Sequence, residues 1–147
     1  ILETRLAEIH KNLFEKGKMP SRKKEPAPPT CYVCQKIESV MDGMLDNILK
    51  IFFSDPEFQT LFREQPVVCL PHYEMLAGRA AHKLSKKQLP VFMEALNPLT
   101  ERYLAELAGD VHHFTTRFDY RFGGKDADWG NSRDSIERAM WFLTSRK

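Results

Sequence analysis

Cys31-Tyr32-Val33-Cys34 and Cys69-Leu70-Pro71-His72 are the two stretches that decide the fold of this chain. Together they contain all three of its cysteines and add one histidine at matching spacing. Three thiolates and one imidazole are the ligand set of a closed, tetrahedral zinc site. We therefore predict that Cys31, Cys34, Cys69 and His72 bind one zinc ion. An iron–sulfur cluster is the alternative cofactor.

The spacing within each pair predicts how the chain presents these ligands. Residues at i and i+3 lie on one side of a helical turn, and both pairs stand where a helix is predicted to begin. Residues 35–68 between the pairs suffice for a long helix, a turn and a short return helix. We predict an all-α helical bundle of about five to six helices, in which the Cys3His site clasps a helical hairpin at its open end.

Apolar periodicity along the rest of the chain supports the all-α prediction. The helix after Cys34 carries a wide stripe that we expect to be buried on one face. It comprises Ile37, Val40, Met41, Met44, Leu45, Ile48, Leu49 and Phe52. Ser54 is predicted to cap the next helix, with Pro56 in its first turn and Glu57 completing a capping box. Asn97-Pro98 is predicted to start a further, long helix.

The composition divides the chain into three segments. Residues 1–16 predict an amphipathic helix with a stripe of Leu2, Leu6, Ile9 and Leu13, which we interpret as the end of a missing upstream module. Residues 17–30 are rich in proline and lysine and predict a linker. Residues 31–147 predict the metal-binding helical domain. We expect a protein partner, or a second copy of the chain, to bind through the stripe of the first helix.

Charge and hydropathy narrow the classes of partner. A formal net charge of +2 makes nucleic acid an unlikely obligatory partner. The longest apolar stretch is far shorter than the roughly 20 residues that cross a bilayer, which predicts no membrane span. Three cysteines cannot all pair within one chain, so we expect a reducing, cytoplasmic location.

Weaker motifs lie in the second half of the chain. His112 and His113 point to different faces of one helix and cannot chelate together. Asp126, Asp128, Gly130 and Glu137 resemble part of a calcium loop, but Asn131 replaces its required glycine. Arg121 follows the predicted long helix and is a candidate interaction residue.

Four motifs also resemble an uncharacterised prokaryotic family. They are Cys31-x-x-Cys34, Ser54-Asp55-Pro56-Glu57-Phe58, Val68-Cys69-Leu70-Pro71-His72 and Phe118-Asp119-Tyr120-Arg121-Phe122. Members of that family carry one or two Cys-x-x-Cys…Cys-x-x-His helical modules, and this chain resembles the C-terminal module. The resemblance implies that the same four residues bind the metal, and it implies no activity.

These observations predict a non-catalytic, zinc-stabilised helical module that works through protein–protein interaction. All four metal positions would be filled by protein, which leaves no open position for a substrate. The alternative is a redox or electron-transfer protein with an iron–sulfur cluster or a reactive dithiol. A nucleic-acid-binding zinc module is third. The sequence contains no P-loop, no dinucleotide fingerprint and no recognisable nucleophile motif.

Overall fold

A computed structural model describes residues 1–17, 31–117 and 128–146 of the chain. Within these ranges all regular structure is helical, which confirms the all-α prediction. Six α-helices are α1 Leu2–His10, α2 Tyr32–Ser54, α3 Pro56–Arg63, α4 Leu70–Lys83, α5 Gln88–Thr116 and α6 Ser135–Thr144. A π-helical turn, Lys11–Glu15, continues α1, and a 3-10 turn, Gly130–Ser132, precedes α6. In this part of the chain, no helix combines the length and apolarity needed to cross a membrane.

Asp55 caps the N-terminus of α3, one residue after Ser54, which the sequence predicts as the cap. Its Oδ1 accepts hydrogen bonds from the backbone N–H groups of Glu57 at 2.9 Å and Phe58 at 3.2 Å. These are donors that the first turn of a helix leaves without an intrahelical partner. The Ser54 hydroxyl instead lies 3.5 Å from the carbonyl of Ile51, within its own helix. The cap prediction for Ser54 is therefore wrong, whereas Pro56 begins α3 as expected.

The buried side chains form two clusters, and the first joins α2, α3, α4 and the first half of α5. Three aromatic rings at its centre meet edge to face or tilted, with Phe52 and Phe92 centroids 5.1 Å apart and Phe62 and Phe92 5.6 Å apart. Both Phe52 and Phe92 are essentially inaccessible to solvent. The remaining buried members are Leu45, Leu49, Tyr73, Leu76, Ala77, Ala80, Ala95, Leu96 and Leu99.

The second cluster joins α1, the start of α4, the second half of α5 and α6. Its buried members are Leu6, Ile9, Cys69, Leu70, Leu104, Leu107, Val111, Ala139 and Phe142. Helix α5 contributes buried side chains to both clusters and so connects them. Pro98 lies inside this 29-residue helix and does not begin it. The predicted helix start at Asn97-Pro98 is therefore wrong, because packing on both sides of Pro98 keeps the helix continuous.

Two arginine–carboxylate contacts fasten neighbouring helices. Arg79 of α4 binds Asp46 of α2 with two parallel hydrogen bonds, 2.6 Å from Nε to Oδ1 and 2.7 Å from Nη2 to Oδ2. Arg138 of α6 donates to Asp110 of α5 at 2.8 Å and to Asp134 at 2.9 Å. A two-point contact of this kind fixes orientation as well as distance.

Candidate metal centre

Cys31 and Cys34 form a pair of thiols at the beginning of α2. Cys31 occupies the N-cap position with an extended backbone, and Cys34 follows in the first turn. Their sulfur atoms are 3.5 Å apart and both residues are exposed. Hydrogen bonds from the backbone and thiol of Cys34, and from the backbone of Val33, lower the pKa of Cys31. Helix N-termini favour thiolates because their backbone N–H groups point outward.

The separation of these two sulfurs is close to one edge of a zinc tetrahedron. Zinc–sulfur bonds of about 2.3 Å at tetrahedral angles place two ligand sulfurs about 3.8 Å apart. Cys31 and Cys34 at 3.5 Å need only a small change of rotamer to reach that distance. This pair therefore fits half of a four-ligand zinc site.

Cys69 and His72 form the second pair, at the beginning of α4. Cys69 is the N-cap residue and its side chain is buried in the second cluster. Its sulfur lies 3.0 Å from His72 Nδ1 and 2.9 Å from the hydroxyl of Ser145. Ser145 caps the end of α6 in the left-handed conformation, with φ of 57°. The Cys69 sulfur therefore joins the start of α4 to the end of α6.

The two ligand atoms of this second pair lie closer together than they would around a zinc ion. Zinc–sulfur and zinc–nitrogen bonds of about 2.3 and 2.0–2.1 Å would place the two ligand atoms about 3.6 Å apart. The observed 3.0 Å between Cys69 Sγ and His72 Nδ1 is a direct hydrogen-bonding distance. In this arrangement the protein itself satisfies the Cys69 sulfur.

The structure forms each of the predicted pairs but does not join them. Across the described ranges, no group of three or more histidine, cysteine or acidic side chains is placed to hold a metal ion. The reason lies in packing: Cys69 is anchored in the second cluster, whereas every residue from Cys31 to Val40 is exposed. The Cys3His site within one chain thus stays a prediction.

The predicted interaction stripe of the first helix packs against α5 of the same chain. Leu6 and Ile9 are buried and pack with Leu104, Leu107 and Val111 of α5. Leu2 and Leu13 are partly buried against the same cluster. A partner could use this stripe only after α1 had left α5. The other predicted interaction residue, Arg121, lies outside the described residues, as do Asp126 and the linker residues 18–30.

Sequence reasoning missed an exposed apolar face on α2. Val33, Ile37, Val40 and Met44 are between 55% and 61% exposed. The predicted buried stripe includes Ile37, Val40 and Met44, so that part of the prediction is wrong. With Tyr32, Lys36 and Met41 they line a shallow groove of about 380 Å³. The ammonium group of Lys36 lies 5.6 Å from the centre of the Tyr32 ring. The signal was present in the width of the stripe, which covers two faces of the helix.

Comparison with known proteins identifies the family and no activity. The chain matches the family of unknown function DUF6062 over residues 3–147 and belongs to that family. No curated protein and no solved structure matches the chain.

Proposed function

We propose that this domain is a non-catalytic, zinc-binding helical module that acts through protein–protein interaction. The observation that carries the proposal is the exposed pair of sulfurs at Cys31 and Cys34, 3.5 Å apart at the start of a 23-residue helix. This separation is close to the distance of about 3.8 Å that tetrahedral zinc requires of two thiolates. It also stands at one end of an exposed apolar face, which is typical of a binding surface.

The role of the metal in this proposal is structural. Zinc held by protein ligands alone has no open position, so the ion orders a surface and does not activate water. In small peptides such binding releases about 10–16 kcal/mol, which is comparable with the stability of a whole domain. Reduced thiols are needed for binding, and the cysteines are free in the described structure. A reducing, cytoplasmic location is part of the proposal for that reason.

Zinc content of the purified protein tests the proposal. We expect Cys31→Ser combined with Cys34→Ser to remove the bound zinc, as measured by elemental analysis. In the single-chain Cys3His arrangement, His72→Ala also loses zinc, because it removes one of the four ligands. His82→Ala is the matched control, since His82 is an exposed histidine on the same helix, α4. Zinc content that is unchanged in the double cysteine variant would contradict the proposal.

A dithiol redox protein is the second candidate, and the same cysteine pair favours it. Exposed thiols in a Cys-x-x-Cys turn at a helix N-terminus, with the pKa of one lowered, suit reversible disulfide formation. The sulfurs would have to close from 3.5 Å to about 2.05 Å. Equilibration with glutathione buffers distinguishes this candidate, because a redox dithiol gives a defined midpoint potential whereas zinc suppresses oxidation of the pair. Visible absorbance after anaerobic purification would instead indicate an iron–sulfur cluster.

A further inference from the structure

In the described part of the chain, the first three turns of α2 contribute no side chain to either buried cluster. Every residue from Cys31 to Val40 is exposed, and Leu45 is the first buried residue of the helix. An isolated helix of fewer than about 12–15 residues is marginal in water, because most helical stability in proteins comes from burying an apolar face. These turns nevertheless present large apolar side chains on one side. They therefore have the composition of a helix that is stabilised by a partner.

The exposed side chains of α2 follow the repeat of a coiled coil. Steps of four, three, four, three and four residues separate six exposed residues, which we call the α2 seam: Val33, Ile37, Val40, Met44, Asn47 and Ile51. An alternation of three and four is the a and d pattern that pairs two helices with a left-handed supercoil. From Val33 to Ile51 the α2 seam runs over about 27 Å of helix, at 1.5 Å per residue.

The rest of the fold lies on a different side of α2 from the seam. At 3.6 residues per turn, the buried residues Leu45, Leu49 and Phe52 lie about 130° around the helix from the centre of the α2 seam. A second helix can therefore lie along the seam without displacing the packed helices. The same periodicity places Cys31 and Cys34 on the side of Leu45. The thiol pair therefore faces away from a helix bound on the seam.

The exposed apolar surface of the seam is large enough for a specific contact. Its five apolar residues are between 38% and 61% exposed. A large apolar residue that is about half exposed offers roughly 100 Å² of accessible surface, so two copies would together bury roughly 1,000 Å². That area is near the lower limit of specific protein–protein interfaces, where complexes are often transient. The seam can therefore hold two chains together in an equilibrium that depends on concentration.

We propose that two copies of this chain pair in parallel through the α2 seam. This inference rests on the interaction role in the proposed function, and it names a second copy of the chain as the partner of the exposed face. The thiols of Cys31 and Cys34 stay on opposite outer sides of the pair, so each copy keeps its own metal half-site. Pairing and zinc binding are therefore separate properties, and each can be lost without the other.

Two features of the seam favour the parallel orientation. In a parallel pair Asn47 faces Asn47 of the second copy, and the two amides can hydrogen-bond to each other. An antiparallel pair that uses the whole seam would set Asn47 against Ile37 of the second copy. A polar residue within such a seam fixes the register of the helices. The flanking charges agree, because the same antiparallel pair would place Lys36 opposite Lys50 of the second copy, and like charges that face each other across an interface are unfavourable.

The test measures oligomeric state and zinc content separately on the whole chain. Sedimentation equilibrium over a series of concentrations should show two chains per particle, which dissociate to single chains on dilution. Elemental analysis of the same samples gives the zinc content per chain. The two readouts are independent, because the thiols lie away from the contact.

Matched variants assign the contact to the α2 seam. Ile37→Lys is expected to shift the particle from two chains to one, because it places a charge in the seam. Ser39→Lys adds the same charge to an exposed residue of the same helix outside the seam, and it should leave the pair intact. Zinc content per chain should match the wild-type protein in both variants, because neither change removes a thiol. Circular dichroism verifies that each variant keeps a cooperative thermal transition.

Cross-linking tests the parallel orientation. Val40→Cys, combined with Cys31→Ser and Cys34→Ser, leaves one exposed thiol in the seam, while Cys69 is buried. In a parallel pair the new thiol meets its counterpart, so mild oxidation should link two chains through a disulfide bond. Ser39→Cys in the same background is the control, and its chains should stay unlinked.

The alternative outcomes are distinct. A wild-type chain that stays single at every concentration would overturn this inference and favour a different protein on the seam, while zinc binding would be unaffected. Pairing that persists in Ile37→Lys would overturn it as well, because the seam would not be the contact. Chains that pair but do not cross-link through Val40→Cys would overturn the parallel arrangement. Pairing without bound zinc would instead refute the proposed zinc-binding function and support this inference.

Discussion

The placement of α1 on α5 makes a prediction that can be worked out in energy. Leu6 is fully buried between α1 and the second half of α5. Leu6→Ala removes three carbon atoms, which at about 0.8 kcal/mol each amounts to about 2.4 kcal/mol of lost transfer free energy. The cavity left behind raises the expected loss to about 3–5 kcal/mol. For a chain of this size, a loss of about 3 kcal/mol corresponds to a melting temperature lower by about 6–12 °C.

Urea denaturation of the purified chain, followed by circular dichroism, measures this difference. Glu8→Ala is the matched control, since Glu8 lies on the same helix with its side chain 57% exposed. We expect the control to change the free energy of unfolding by less than about 0.5 kcal/mol. If Leu6→Ala changed it equally little, α1 would not be part of the folded domain. The interpretation of residues 1–16 as the end of another module would then be favoured.

Three further predictions concern the contacts between α2, α4 and α5. The Arg79 guanidinium lowers the pKa of Asp46 from 3.8 to about 2. The contact between Asp46 and Arg79 therefore stabilises the fold above pH 3.8, and this stabilisation is lost as the pH falls towards 2. Asp46→Asn should flatten this part of the pH dependence of the free energy of unfolding, measured by urea titration. Burial raises the pKa of Tyr73 to about 12, so stability should fall as the pH rises from about 10 to 12, and Tyr73→Phe should remove that fall. The same variant frees the Asn97 oxygen that accepts the Tyr73 hydroxyl at 3.0 Å, which should cost about 1–2 kcal/mol at pH 7. Phe92→Ala should cost about 3–5 kcal/mol in the same assay, because the ring is fully buried in the first cluster.

Local signals in the sequence predicted local structure well. The i, i+3 spacing of Cys31 and Cys34, and of Cys69 and His72, correctly placed each pair on the first turn of a helix, because spacing along a helix is fixed by its geometry. Whether the two helix starts meet depends on how the helices pack, and no local signal reports that. The prediction of one joined site went beyond what spacing can supply.

The wide stripe on α2 shows a second limit. Periodicity correctly predicted that Leu45, Leu49 and Phe52 are buried, but it also assigned Ile37 and Val40 to the core. A stripe that covers two faces gives no indication of which face packs against the rest of the chain and which stays exposed. Tertiary packing also overrode a local signal at Pro98, where α5 continues through the predicted helix start at Asn97-Pro98.

The burial of Cys69 gives the chain a built-in reporter of unfolding. Its sulfur is enclosed between α4 and α6, whereas the other two thiols face solvent. A thiol-specific reagent should therefore modify two cysteines rapidly in the metal-free native protein. Modification of the third has to await separation of the two helices, so its rate measures how often that end of the fold opens.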